Sequence, residues 1–271
     1  MKDFKNKIAL VTGAATGIGE ATSIAFAREG CDLILATRKN ADGLKATADK
    51  IKAMGRKTLT VMADVSKRDD VERLCQTALK EFGRVDILMN NAGVGITCEL
   101  KDMSLEDWEW IMGVNFWGTV YTLHFLLSQM VERKSGHIVN VSSGAGLFGL
   151  PANGAYTASK YGLVGLSEVL RTELERFNIG VTAVCPAVVR TPIFEATKVK
   201  GFKKDVTTPP AIFRMTPERA ADQIVRAVKR NQALLVITAL AKFCYNIKRV
   251  SPVLAQVVMR GMLKELLKKK E

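Results

Sequence analysis

Seven short runs rich in Val, Ile and Leu, at 8–11, 31–37, 58–62, 87–90, 138–142, 181–185 and 234–238, alternate with longer amphipathic stretches along the chain. Nothing else in the sequence constrains the fold as strongly. Strands that are apolar at nearly every position need cover on both faces, and helices recurring between them supply it. The pattern therefore predicts an α/β protein built on a doubly wound parallel sheet. At 271 residues the chain can bury a large core in a single domain, expected over 1–238, and no internal repeat or low-complexity linker divides it.

The first run leads straight into Thr12-Gly13-Ala14-Ala15-Thr16-Gly17-Ile18-Gly19, and a helical pattern continues from Glu20 to Glu29. Strand, glycine-rich turn and helix in this order suit a dinucleotide. The glycines let the backbone approach a pyrophosphate, whose charge meets exposed N–H groups and the positive end of the helix dipole. The Gly-x-x-x-Gly-x-Gly spacing departs from the fingerprint usually quoted, but the flanking context is the one the motif requires. Lys2, Lys5 and Lys7 before this strand imitate a signal peptide, yet the apolar part is too short for one.

A second constellation lies mid-chain. The run from His137 ends at Ser143, thirteen residues before Tyr156, and Lys160 follows Tyr156 by one helical turn. Residues four apart share a helix face, so the ammonium is expected to lie near the phenol and lower its pKa. Ser143 would then donate a hydrogen bond to a substrate carbonyl, Tyr156 would pass it a proton, and Lys160 would hold the tyrosine poised. The alternative is an exposed aromatic beside a solvated lysine.

With these segments in order, residues 5–238 resemble the short-chain dehydrogenase/reductase family, whose fold is of the Rossmann type. Thr12, Gly13, Thr16, Gly17, Ile18 and Gly19 look like its glycine motif, and Asn90-Asn91-Ala92-Gly93 like its strand-four motif. The resemblance implies a catalytic tetrad of Asn115, Ser143, Tyr156 and Lys160, with Asn115 anchoring a water in a proton relay. It also implies adenine contacts from Asp64 and Val65 and cofactor contacts from Asn91, Ala92, Gly93, Tyr156, Lys160, Pro186, Val189 and Thr191. Where the family has Pro-Gly, this chain has Pro186-Ala187, which either alters the turn or shows that it never needed positive φ.

The end of the second strand bears on the choice of nicotinamide cofactor. Enzymes of this fold that prefer NAD place a carboxylate there, which grips the ribose hydroxyls and repels the extra phosphate of NADP. Here Thr37 stands at that position, and Arg38 and Lys39 follow. A guanidinium suits a phosphate, so NADP is the expected cofactor, with NAD the alternative.

Residues 191–216 occupy the family's substrate-loop position and contribute Ile193, Phe194, Phe202, Ile212, Phe213 and Met215. Leu147, Phe148 and Leu150 are expected to face this lid, with Val94 and Ile96 behind. An apolar pocket under a lid suits a lipophilic ketone, aldehyde or alcohol. Five scattered cysteines read as buried small hydrophobes in a reducing, cytoplasmic setting, and two histidines, His124 and His137, are too few for a histidine-rich metal site.

Charge is distributed unevenly. Residues 1–197 carry 23 Lys+Arg against 22 Asp+Glu, whereas 198–271 carry 17 against 5. The extension 239–271 is helical in period, with Leu240, Phe243, Ile247, Val250, Leu254, Val257, Val258, Met262, Leu266 and Leu267 on or near one stripe. Ser251 and Pro252 mark the start of its second helix. Such a stripe can dock on the protein's own body, form the face of a homo-oligomer, or lie on an anionic membrane as a peripheral contact. The longest largely apolar run, 233–241, is too short to span a bilayer. Nucleic acid is not an expected partner, because the basic run lacks interleaved aromatics. The resulting reading is an NADP-dependent oxidoreductase acting on a lipophilic carbonyl or alcohol. A carrier-linked 3-oxoacyl reductase and a non-catalytic NADP-binding sensor are the alternatives.

Overall fold

All seven apolar runs are strands of one parallel sheet in the computed structural model, which describes residues 3–207 and 215–270, apart from the side chains of Lys204 and Thr207. Ile212 and Phe213 of the expected lid lie outside the described residues. The sheet order is β3 (Thr58–Met62), β2 (Asp32–Thr37), β1 (Ile8–Thr12), β4 (Ile87–Asn90), β6 (Gly136–Val141), β7 (Ile179–Pro186) and β9 (Leu234–Ile237). Strand order reverses between β1 and β4, so the crossovers leave on opposite faces and open a crevice at the carboxyl ends of the strands.

Burial on both faces follows from the alternation of side chains. Ala9 and Val11 of β1 and Leu33 and Leu35 of β2 point into one core, beneath α1 (Gly17–Arg28), α2 (Ala41–Lys52) and α8 (Pro217–Lys229). Ile8, Leu10, Ile34 and Ala36 point into the other, beneath α3 (Arg68–Phe82), α5 (Gly118–Glu132) and α6 (Gly154–Leu174). Each fully buried Leu or Ile contributes about 1.5–3 kcal/mol, so both faces of these strands are held under helices.

Three local features position the site. α4 (Leu105–Met112) runs into α5 through a π-helical turn, Gly113–Trp117, that carries Asn115. A small parallel pair, β5 (Ile96–Thr97) with β8 (Lys198–Val199), pins the segment that follows α7 (Ile193–Ala196). Asp107, with a side chain only 2% exposed, reinforces that pin by pairing with Lys198 at 3.0 Å and with Lys200, while capping α4 through Ser104.

The extension forms α9 (Ala239–Val250) and α10 (Pro252–Leu267), with Ser251 capping the second through Leu254 as the sequence indicates. Most of its apolar stripe, however, is not the face that meets the body. Ala241, Cys244, Tyr245 and Met259 make that contact, in a cluster with Leu147, Phe148, Cys185 and Val236. Lys248 adds a hydrogen bond to the Leu147 carbonyl at 2.9 Å. Among the described residues no helix is long and apolar enough to cross a membrane.

Candidate active site

A cleft of about 450 Å³ opens at the carboxyl ends of β1, β4, β6 and β7. Its floor begins with the glycine turn. Gly13 and Gly17 have φ of +66° and +62°, a region that strains any side chain. A Cβ on Gly19 would lie 2.2 Å from the Gly13 carbonyl oxygen, so the loop closes only without one. Thr16, the N-cap of α1, makes no side-chain cap, leaving the N–H groups of the first turn to face the cleft that Gly17 and Ile18 line. Unpaired donors at a helix N-terminus, beside a turn stripped of Cβ atoms, fit a dinucleotide pyrophosphate.

Thr12 and Gly19 do not line the cleft, nor do Arg38, Lys39, Asp64 and Val65. The buried Thr12 hydroxyl accepts hydrogen bonds from the Asn91 and Ala92 N–H groups, both at 3.0 Å. Asn91 returns its amide to the carbonyls of Thr12 and Gly13 at 2.9 and 3.1 Å. Thr12 therefore ties the ends of β1 and β4 together, while Asn91, Ala92 and Gly93 form the wall.

At the rim beyond β2, Arg38 pairs with Asp64 at 3.5 Å and Lys39 is exposed. Burial pushes the Asp64 carboxyl up, but hydrogen bonds from Ser66 and the Arg38 charge outweigh it and hold the group below its ordinary value. Val65 is buried behind it.

Ser143, Tyr156 and Lys160 all line the cleft. Ser143 ends the segment after β6 in extended conformation, and its hydroxyl accepts from the Ala145 N–H at 3.1 Å. Tyr156 and Lys160 share a face of α6, but the expected lowering of the phenol is absent. Burial raises Tyr156 above its ordinary value, with the Ser143 hydroxyl opposing. Lys160 sits 5.7 Å from the ring centroid and donates to the Val141 carbonyl at 3.0 Å, which captures the ammonium that spacing alone assigned to the phenol. Burial brings Lys160 itself down to about 8, close to neutrality.

Asn115 lies behind the cleft wall. Its side chain is spent on the chain: Oδ1 accepts from the Val94 N–H at 2.8 Å, and Nδ2 donates to the Val94 carbonyl at 3.0 Å and to Ser159 at 3.2 Å. A relay water on Asn115 would thus have to use the main chain, where a π-turn disturbs the usual helical pairing.

Pro186, Val189, Thr191, Val94, Ile193 and Phe194 border the cleft as expected, and Ala187 has no positive φ, so this turn does not need glycine. Leu147 and Phe148 do not border it. The turn after Ser143, Gly144–Gly146, sends them under α9, and of the three apolar residues expected there Leu150 alone faces the cleft. Leu266 of α10 lines the cleft, a contact with no local sequence signal. It is held there because Lys203 donates to the Lys269 carbonyl at 2.9 Å and Lys270 pairs with Glu99 at 2.7 Å. Among the described residues no cluster of His, Cys, Asp and Glu could hold a metal.

A glycine cradle at a topological switch point, facing a Ser, Tyr and Lys at the next strand end, defines a dinucleotide-dependent oxidoreductase. More narrowly, the chain belongs to the short-chain dehydrogenase family, whose model matches residues 7–200. An uncharacterized oxidoreductase of Listeria innocua is 33% identical over 235 residues, covering 86% of this chain and 94% of the relative. A 3-oxoacyl-[acyl-carrier-protein] reductase of Thermotoga maritima is 33% identical over 224 residues, 82% and 90% of the two chains. A short-chain dehydrogenase/reductase of Burkholderia phymatum, solved in complex with NAD, superposes with a TM-score of 0.82 at 29% identity, over 92% of this chain and 96% of that one.

Proposed function

We propose that this protein interconverts a lipophilic ketone or aldehyde and its alcohol, with NADP as the preferred cofactor and Tyr156 as the acid/base. The observation that carries the reading is the convergence of Ser143, Tyr156 and Lys160 on one cleft to which Leu150, Ile193, Phe194 and Leu266 contribute apolar wall, beside polar lining from Thr97, Asn153 and Thr197. The nicotinamide, when bound, donates or accepts the hydride. Ser143 orients the carbonyl oxygen, and the raised phenol stays protonated until alkoxide character develops, so Tyr156 can deliver its proton there. Lys160, brought near neutrality by burial, supports the tyrosinate that remains. Asn115 keeps α4–α5 registered on Val94 beside the site.

NADP is favoured because Thr37 offers no carboxylate to repel a ribose phosphate and Arg38 is partly exposed, its long ion pair with Asp64 open to competition. The family's habit supports a homo-oligomer, and the exposed apolar face of the basic extension supports a peripheral contact with a membrane; a cytoplasmic setting and a role in lipid metabolism complete the reading. A second reading, reduction of a carrier-linked 3-oxoacyl group, is favoured by the Thermotoga maritima relative's assignment and the basic extension.

A spectroscopic screen of ketones and alcohols with NADPH and NADH tests the proposal. Tyr156→Phe should lower turnover by about 10²–10⁴-fold with dinucleotide binding retained. Arg38→Ala should raise KM for NADPH far more than for NADH. Wild-type preference for NADH, or a Tyr156→Phe enzyme with more than about a tenth of normal turnover, would refute the respective assignment.

A further inference from the structure

The two faces of the extension do different things. One packs on the body through Ala241, Cys244, Tyr245 and Met259, as described. The other presents Leu240, Phe243, Val250, Val253, Leu254 and Val257, each between 45% and 86% exposed. These residues come from both helices, on either side of the Ser251–Pro252 turn, and give each helix an exposed apolar face. Exposed apolar surface of this kind marks an interaction site.

What covers the patch is decided by its charge. Lys242 and Arg249 flank it on α9, Arg260 and Lys264 flank it on α10, and the extension 239–271 carries eight Lys+Arg against two Asp+Glu. A second copy seated face to face would bring these cations against one another. The rest of the chain offers no compensating surface excess of acid, since residues 1–197 are nearly neutral. An apolar stripe edged by Lys and Arg is the pattern that lies in the plane of an anionic lipid surface, with apolar side chains in the acyl boundary and cations at the headgroups. Helices of 12 and 16 residues are too short to go through a bilayer and suited to lying on it.

We propose that the α9–α10 hairpin is an interfacial docking element that seats this patch on an anionic phospholipid bilayer. The inference gives residues and a lipid chemistry to the peripheral contact in the proposed function, and it rests on that part of the reading only. It also brings the cleft to the membrane, because α10 carries the patch in its first half and the cleft-lining Leu266 in its last turn. A lipophilic substrate could pass between bilayer and cleft along that helix.

The test uses the full chain and vesicles of phosphatidylcholine with and without phosphatidylserine, followed by co-sedimentation at low and high salt. The expected result is binding to the phosphatidylserine vesicles that falls steeply as salt rises, with little binding to phosphatidylcholine alone. The variant F243S/V250S/V257S should lose binding by about tenfold or more, and so should K242S/R249S/R260S. Turnover of a small soluble carbonyl, measured alongside, should be unchanged in both variants and reports separately on the oxidoreductase reading. Full-length protein that ignores anionic vesicles at low salt, or binds neutral ones equally well, overturns the proposal. So does a serine variant that keeps vesicle binding but loses its oligomeric state in sedimentation, which would assign the patch to a second copy. Retention by an acidic carrier protein with no vesicle binding would overturn it in favour of a protein partner.

Discussion

Replacing Thr12 by Val should destabilise the protein and loosen the dinucleotide cradle together. The substitution keeps the shape of the side chain and removes one oxygen, which accepts hydrogen bonds from the Asn91 and Ala92 N–H groups, both at 3.0 Å. A buried donor left without a partner costs about 1–3 kcal/mol. Two donors that border the cleft, where water can reach them in part, place the expected loss at about 2–4 kcal/mol against a total of about 5–15. For a chain of 271 residues this corresponds to a Tm lower by roughly 4–7 °C. Urea unfolding should show the loss as a lower midpoint with an unchanged slope. Because Asn91 also holds the carbonyls of Thr12 and Gly13, dinucleotide affinity should fall with it, by fluorescence titration. Thr12→Ser, which retains the oxygen, should stay within about 1 kcal/mol of wild type. A Thr12→Val protein within about 0.5 kcal/mol of wild type and unchanged in dinucleotide affinity would refute the idea that this hydroxyl joins β1 to β4.

Asp107→Asn should raise KM for the carbonyl substrate by roughly three- to tenfold with kcat little changed, since Lys198 and Lys200 lose the charge that holds the lid segment; a kcat effect without a KM effect would contradict this. His137 is fully buried and bonded to Thr182 at 2.9 Å, and burial lowers it to about 3, so only the unfolded chain takes up its proton as pH falls below about 6.5. Stability should therefore fall by up to about 1.4 kcal/mol per pH unit from pH about 6.5 down toward 3, a slope that His137→Gln should remove; identical pH dependence in both proteins would show that other groups set it. Leu266→Ala should reduce kcat/KM for a bulky apolar carbonyl more than for a small one, by roughly tenfold, and equal losses would place Leu266 outside the substrate path.

The sequence by itself determined the sheet and most of the chemistry, because both are written in short-range pattern. Two-sided apolar strands can only be buried in a covered parallel sheet, and the order strand, glycine turn, helix can be recognised within residues 8–29. Ser143, Tyr156 and Lys160 were legible for the same reason, being set by a strand end and one helical turn. Tertiary structure decided what local spacing cannot reach. It gave the Lys160 ammonium to the Val141 carbonyl instead of the phenol, and set the Thr12 hydroxyl on the N–H groups that follow β4. It also drew Leu147 and Phe148 out of the cleft and under α9, and brought Leu266 in from the far end of the chain. Periodicity shows that a helix has an apolar face, but not which of two faces meets the body. On α9 and α10 that choice went to Ala241, Cys244, Tyr245 and Met259, leaving most of the larger stripe outside while Leu266 turns in to the cleft. Such outcomes depend on which partners lie within a few ångströms after folding, and residues from 19 to 101 positions apart supply them.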